Sequence, residues 1–162
     1  MPDFRPYTKH QLDYVLQMIE ASIYTVVGDL TITAYRTQEP IPYPLRQSGE
    51  ELQLKTGDHW GDLFDCAWFH FTGRVPEAAA GQRVVLLLDV SGETCVFDEQ
   101  GLPVRGLTNV ASDYDYSLGG PGKRVLPMAE KALGGEVIDV WADAGANDLF
   151  GNFSKSQIEV IG

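Results

Sequence analysis

The 162-residue chain is poor in several things that would narrow its role. It has only two cysteines, Cys66 and Cys95, too few for the disulfide framework of a small scaffold. Each falls within or beside an apolar strand pattern, where a free thiol packs as a small buried hydrophobe. Cations are also short, with 12 Lys and Arg against 23 Asp and Glu and a net charge of −11. Such a surface repels phosphate backbones and anionic lipid, which argues against nucleic-acid and membrane partners. No apolar run approaches the ~18 residues of a membrane-spanning helix. The N-terminus, Met1-Pro2-Asp3-Phe4-Arg5-Pro6, lacks the cationic head and apolar stretch of a signal peptide, so a cytoplasmic location is expected. Repeats and low-complexity tracts are missing. The three histidines, His10, His59 and His70, lack metal-site spacing and read as solvated or hydrogen-bonded structural residues.

What is present suits a loop-rich, mainly β protein. Hydrophobic residues make up 44%, with 17 Gly and 9 Pro, and the length fits a domain with a core of its own. Over residues 67–75 the side chains alternate, with Ala67, Phe69, Phe71 and Val75 on one face and Trp68, His70, Thr72 and Arg74 on the other. The first face is expected to be buried, and Pro76 ends the strand. Val84-Val85-Leu86-Leu87-Leu88 is apolar throughout; its β-branched start and flanking Gly81 and Gly92 favour a central strand over a buried helix. Residues 94–97 and 102–104 flank the turn Asp98-Glu99-Gln100-Gly101 as a hairpin, and Pro103 places its second arm at a sheet edge. Residues 109–122 read as a long connection with turn chemistry, of a length that is often functional. Short strands follow at 123–127, 136–142 and 157–161. Trp68 and Trp141 sit in strand patterns, so both are expected in the core between two sheets.

The start of the chain differs. Leu12, Val15, Leu16, Ile19 and Ile23 recur at helical spacing over residues 8–27, Thr8 and Gln11 match a capping box, and Gly28 is a plausible stop. The proline-rich Gln38-Glu39-Pro40-Ile41-Pro42-Tyr43-Pro44 reads as an extended linker. The expected division is therefore a helical segment at 1–37, a linker at 38–49 and a β-sandwich at 50–162. Because it stops on an apolar strand at Gly162, the chain is expected to be a piece of a larger enzyme.

The succession Trp68-Phe69-x-Phe71, Val75-Pro76, Gly81-x-Arg83-Val84-Val85-Leu86-Leu87-Leu88-Asp89 and Val96-Phe97-Asp98-Glu99-x-Gly101-x-Pro103-Val104-x-Gly106-Leu107-Thr108 resembles the N-terminal jelly-roll region of glycoside hydrolase family 38, the α-mannosidases. Gly57-Asp58-His59-Trp60-Gly61-Asp62 and the stretch from Trp141 to Gly151 are similar to the same region. A looser likeness is to the sugar-binding jelly rolls of β-galactosidases. The resemblance implies a galactose-binding-domain-like jelly-roll β-sandwich preceded by an amphipathic α-helix. It also implies a non-catalytic N-terminal domain that supports the catalytic domain of the same polypeptide and the assembly of the full enzyme, with a homo-oligomer left open. A retaining glycosidase needs two carboxylates about 5 Å apart, and the family's catalytic region adds a zinc-like divalent metal held by Asp and His. That region lies C-terminal to these residues in the resemblance. No residue here matches its nucleophile or ligand motifs, so the chain is assigned no catalytic residue, no metal ligand and no cofactor.

Two further readings stand beside this one. An independent carbohydrate-binding module would use Trp60, Asp62 and Asp148, a ring stacking on a pyranose while carboxylates accept from its hydroxyls. The competing reading of the same aspartates, and of Asp58, Asp65 and Asp143, is turn and cap chemistry; a structural calcium ion on these loops is a third option. A small acidic enzyme is the remaining alternative, but no base, nucleophile or metal cluster can be assembled for it. Gly119-Gly120-Pro121-Gly122-Lys123 lacks the spacing and the strand-to-helix context of a phosphate loop.

Overall fold

The computed structural model describes residues 5–108, 123–146 and 159–161. The amphipathic repeat forms helix α1 (Arg5–Ile23). It ends before Gly28 because Thr25, Val26 and Val27 form a β-branched run that favours extended backbone. Its stripe of Leu12, Val15, Leu16, Ile19 and Ile23 is exposed along its whole length.

The strands are β1 (Thr31–Thr37), β2 (Glu50–Leu54), β3 (Cys66–Arg74), β4 (Val84–Asp89), β5 (Glu93–Phe97), β6 (Pro103–Thr108), β7 (Val125–Ala129), β8 (Val137–Gly145) and β9 (Glu159–Ile161). They make a six-stranded sheet in the order β2-β1-β3-β8-β5-β6 and a three-stranded sheet in the order β7-β4-β9. All the pairings are antiparallel. The fold is a mainly β antiparallel sandwich, as the patterning implies, and it is consistent with the jelly roll that the resemblance implies. β4 is central in the small sheet and β6 lies at an edge of the large one, both as expected. Residues 109–122, expected as a long connection, lie outside the described residues.

The core lies between the sheets. Ala67, Phe69 and Phe71 of β3 enter it beside Ile32 and Ala34 of β1, Leu86 and Leu88 of β4, and Ala142 of β8. Phe69 and Phe71 stack at 5.8 Å. The inward face of β3 is therefore the one its alternation indicates.

Three expectations are corrected. The sandwich does not begin at residue 50: β1 pairs with both β2 and β3, so it is an integral strand of the large sheet. Its alternation, Ile32 and Ala34 inward against Thr33 and Tyr35 outward, is the cause. Trp68 and Trp141 are buried, at 2% and 8% exposure, but not between the sheets. They share parity with His70 rather than Phe69, which places them on the outer face of the large sheet.

The proline-rich segment covers them. Trp68 Nε1 donates to the Ile41 carbonyl at 2.9 Å. Tyr43 meets Trp68 edge-on at 5.6 Å and stacks on Phe97 at 5.9 Å. The Arg46 guanidinium lies 4.0 Å from the Tyr43 ring centre and 4.5 Å from a Trp141 ring centre. Residues 40–46 are thus a strap across the sheet, not a spacer between domains. Gly101 of the β5–β6 hairpin is required here twice over. Its φ is +78, and a Cβ on it would come within 2.6 Å of Tyr43 Cδ1.

Phe71→Ala removes a ring that is 0% exposed and is expected to cost about 3–5 kcal/mol of unfolding free energy. Urea denaturation measures it; a change within experimental error would mean that the inward face of β3 is wrongly assigned.

Candidate functional site

The residues singled out for sugar contact do not come together. Trp60, expected in an exposed loop, is 1% exposed. Its indole N–H donates to the Val90 carbonyl at 2.9 Å, and its ring meets Phe69 edge-on at 5.2 Å. The Gly and Asp residues around it make turns that tuck the ring into the core, where its one polar atom finds a partner. The expectation of a stacking platform at Trp60 is therefore corrected. Asp148 lies outside the described residues. Asp143, expected in a loop, belongs to β8, which continues through Gly145.

Asp62 is exposed and faces a polar cleft of about 250 Å³, lined also by Arg36, Thr37, Glu50 and Asp65. The ends of β1 and β2 and the turn before β3 build it. Arg36 Nη2 meets Glu50 Oε2 at 2.6 Å, and its Nη1 lies 3.7 Å from Asp65 Oδ2. The hydrogen bond to Glu50, with smaller attractions to Asp65 and Asp62, holds the guanidinium above its usual range. Three carboxylates thus face one cation that is already engaged. Such a cleft accepts hydrogen bonds from hydroxyl or cationic groups and disfavours anions.

Turn chemistry accounts for several of the loop acids. Asp58 Oδ2 accepts from Lys55 N at 2.7 Å, and Asp65 Oδ2 from Asp62 N at 2.9 Å. Asp98 Oδ1 accepts from both Gln100 N and Leu102 N. His70 is hydrogen-bonded to Asp139 at 2.9 Å and stacks on Trp141 at 4.0 Å, whereas His59 is exposed. Among the described residues no group of three or more His, Cys, Asp or Glu could hold a metal ion.

A second depression, about 600 Å³, lies on the outer face of the large sheet beyond the strap. Gly106 and Gly145 leave it open, and Cys66, Cys95, Glu93 and Asp143 line it. The cysteines are free and half-buried, more accessible than the core packing expected for them. Burial, with the Asp143 charge second, pushes both thiols above their ordinary range. Thiolate chemistry at neutral pH is therefore suppressed. Burial likewise pushes the Asp143 carboxyl up, partly offset by the Ala144 N–H.

Reading along the chain missed Arg36 and Glu50. They lie on neighbouring strands and meet only through the β1–β2 register, Arg36 opposite Glu50. A like-register charge pair across a hairpin was the available signal.

A family model described as "Alpha-mannosidase, jelly roll domain" matches residues 27–160. Alpha-mannosidase 2C1 of Mus musculus is 26% identical over 129 residues, covering 80% of this chain and 12% of that protein. Alpha-mannosidase 2C1 of Homo sapiens is 31% identical over 87 residues, covering 54% of this chain and 8% of that protein. The chain thus spans about a tenth of the length of these relatives.

The raised Asp143 carboxyl sets a pH dependence. A folded-state pKa above the unfolded one means the charged form is penalised in the native state, so stability falls as pH rises from the ordinary aspartate value of 3.8 through the raised one. Asp143→Asn is expected to raise the melting temperature at pH 7, with the gain shrinking toward pH 4. A lower melting temperature for the variant at pH 7 would show that this charge is stabilising instead.

Proposed function

The chain belongs to the α-mannosidase jelly roll domain family, and on that premise we propose that it is the non-catalytic N-terminal domain of an α-mannosidase, a glycoside hydrolase acting on α-mannosides. Its work is to support the catalytic part of the same polypeptide and the assembly of the enzyme. The observation that carries this reading is the family match over 27–160, set against relatives of which the chain covers 12% and 8%. The exposed stripe of α1 adds support, because an amphipathic helix of 19 residues gains most of its stability by covering its apolar face. α1 precedes the matched residues, so it is an addition to the jelly roll and a natural element for contact with the rest of the enzyme.

The divalent metal and the catalytic carboxylates belong, in this proposal, to the catalytic part, and no step of the reaction is assigned to residues of this chain. The cytoplasm is the compartment the reading assigns. Two unpaired thiols on different strands suit a reducing environment, and among the described residues no helix is long and apolar enough to cross a membrane.

An independent carbohydrate-binding module is the weaker reading. Asp62 does face a hydroxyl-accepting cleft, but the ring meant to stack beside it is enclosed in the core. The experiment is hydrolysis of 4-nitrophenyl α-mannoside by the full polypeptide and by the 162-residue chain. Turnover by the full polypeptide and none by the chain is expected. Turnover by the chain alone would overturn the proposal.

A further inference from the structure

The turn between Asp62 and Asp65 holds the least economical arrangement in the described residues. Asp65 N donates to the Asp62 carbonyl at 3.0 Å, which makes Phe64 the third residue of a four-residue turn. Its φ is +73, a conformation that turns normally give to Gly or Asn and that strains a bulky side chain. Among the described residues nothing explains the choice of Phe, because the ring is 71% exposed and the neighbouring Leu63 is 50% exposed.

The turn is nevertheless held firmly. Phe64 N donates to the Ala146 carbonyl and Ala146 N to the Asp65 carbonyl, both at 2.9 Å, while Asp65 Oδ2 accepts from Asp62 N. Two apolar side chains are therefore presented to solvent on a neck pinned to the end of β8. A strained, rigidly presented apolar tip suits insertion into a partner better than any role within the domain.

The surroundings select the partner. Asp62 and Asp65 bracket the tip and Glu50 lies in the adjoining cleft, whose single arginine is bound by Glu50. A second copy of this chain, with net charge −11, would bring like charge to such a rim. A cationic rim around an apolar recess is complementary to it. We propose that Leu63 and Phe64 form a docking knob that enters such a recess on the catalytic part of the same polypeptide. This rests on the proposed function, whose relatives extend far beyond the matched span.

The test uses the full polypeptide with a protease site inserted after Gly162, cleaved and then diluted while association of the two pieces is followed by size exclusion. Phe64→Gly relieves the strained φ, so the variant folds and the melting temperature of the 162-residue chain should rise. Dissociation of the cleaved pieces should begin at a concentration at least tenfold higher than for the unsubstituted protein, with the Leu63 amide better protected from exchange in the intact polypeptide than in the isolated chain. Pieces of the variant that stay together as well as the unsubstituted ones would overturn the knob alone. Unsubstituted pieces that separate at every concentration would overturn the proposed function with it. Self-association of the chain lost in Phe64→Gly, or a Phe64 signal shifted by methyl α-mannoside, would assign the tip to a second copy or to sugar and equally overturn the proposal.

Discussion

Neighbouring side chains on a strand point to opposite sides, and β3 carries Trp68, Phe69, His70 and Phe71 in succession. Large rings on both faces oblige the protein to cover both sides of its six-stranded sheet. The three-stranded sheet covers one side, and the strap at 40–46 covers Trp68 and Trp141 on the other. Burying one large apolar side chain is worth about 1.5–3 kcal/mol, a sizeable part of a domain's net ~5–15 kcal/mol. Ordering the strap opposes this by about 1–2 kcal/mol per residue of backbone entropy. Pro40, Pro42 and Pro44 reduce that opposition, because their φ is restricted before folding begins. The same prolines that make the segment look like a spacer therefore suit it to lie extended across a sheet.

Strand positions and the division of β3 into two faces were legible because a period of two is a local property of the chain. The β5–β6 hairpin was legible from Asp98 and Gly101 for the same reason. What could not be read was which partner covers each face. Trp68 and Phe69 are equally aromatic, and alternation alone says that they part company without saying which side meets the second sheet. Trp60 sits among Gly and Asp, a local composition of loops, and only the long-range bond to the Val90 carbonyl reveals that its loop dives inward. β1 was hidden by adjacency: Ile32, Ala34 and Tyr35 alternate, but the helix before them and the prolines after them dominated the segment.

The candidate site shows the same limit in its charges. Asp62 could be picked out from sequence, whereas its cleft is made by Arg36 and Glu50, brought opposite each other by strand register. The acidic excess is partly structural. Glu136 receives the backbone N–H groups of Leu133 and Gly134, which hold its carboxyl below the usual range, and Asp89 pairs with Arg124 at 2.8 Å. The lowered Glu136 favours neutral pH, while the desolvated Asp143 favours acid. Opposing slopes of this kind broaden the pH range over which the sandwich is stable.

Glycine placement adds a further constraint on how Phe64 is read. Among the described residues, positive φ is given to Gly57, Gly81, Gly101, Gly134 and Gly135, and otherwise only to Phe64 and Ser91. Ser91 has a local reason, since its N–H donates to the Asp89 carboxylate at 2.8 Å in an Asx-type turn. A small polar residue in that setting tolerates the left-handed region with little loss. Phe64 has no such compensation from its own side chain. A chain that supplies glycine at five other such positions was free to supply it at a sixth. The ring therefore argues for a demand from outside the described residues, at the end of β8 where Ala146 pins the turn.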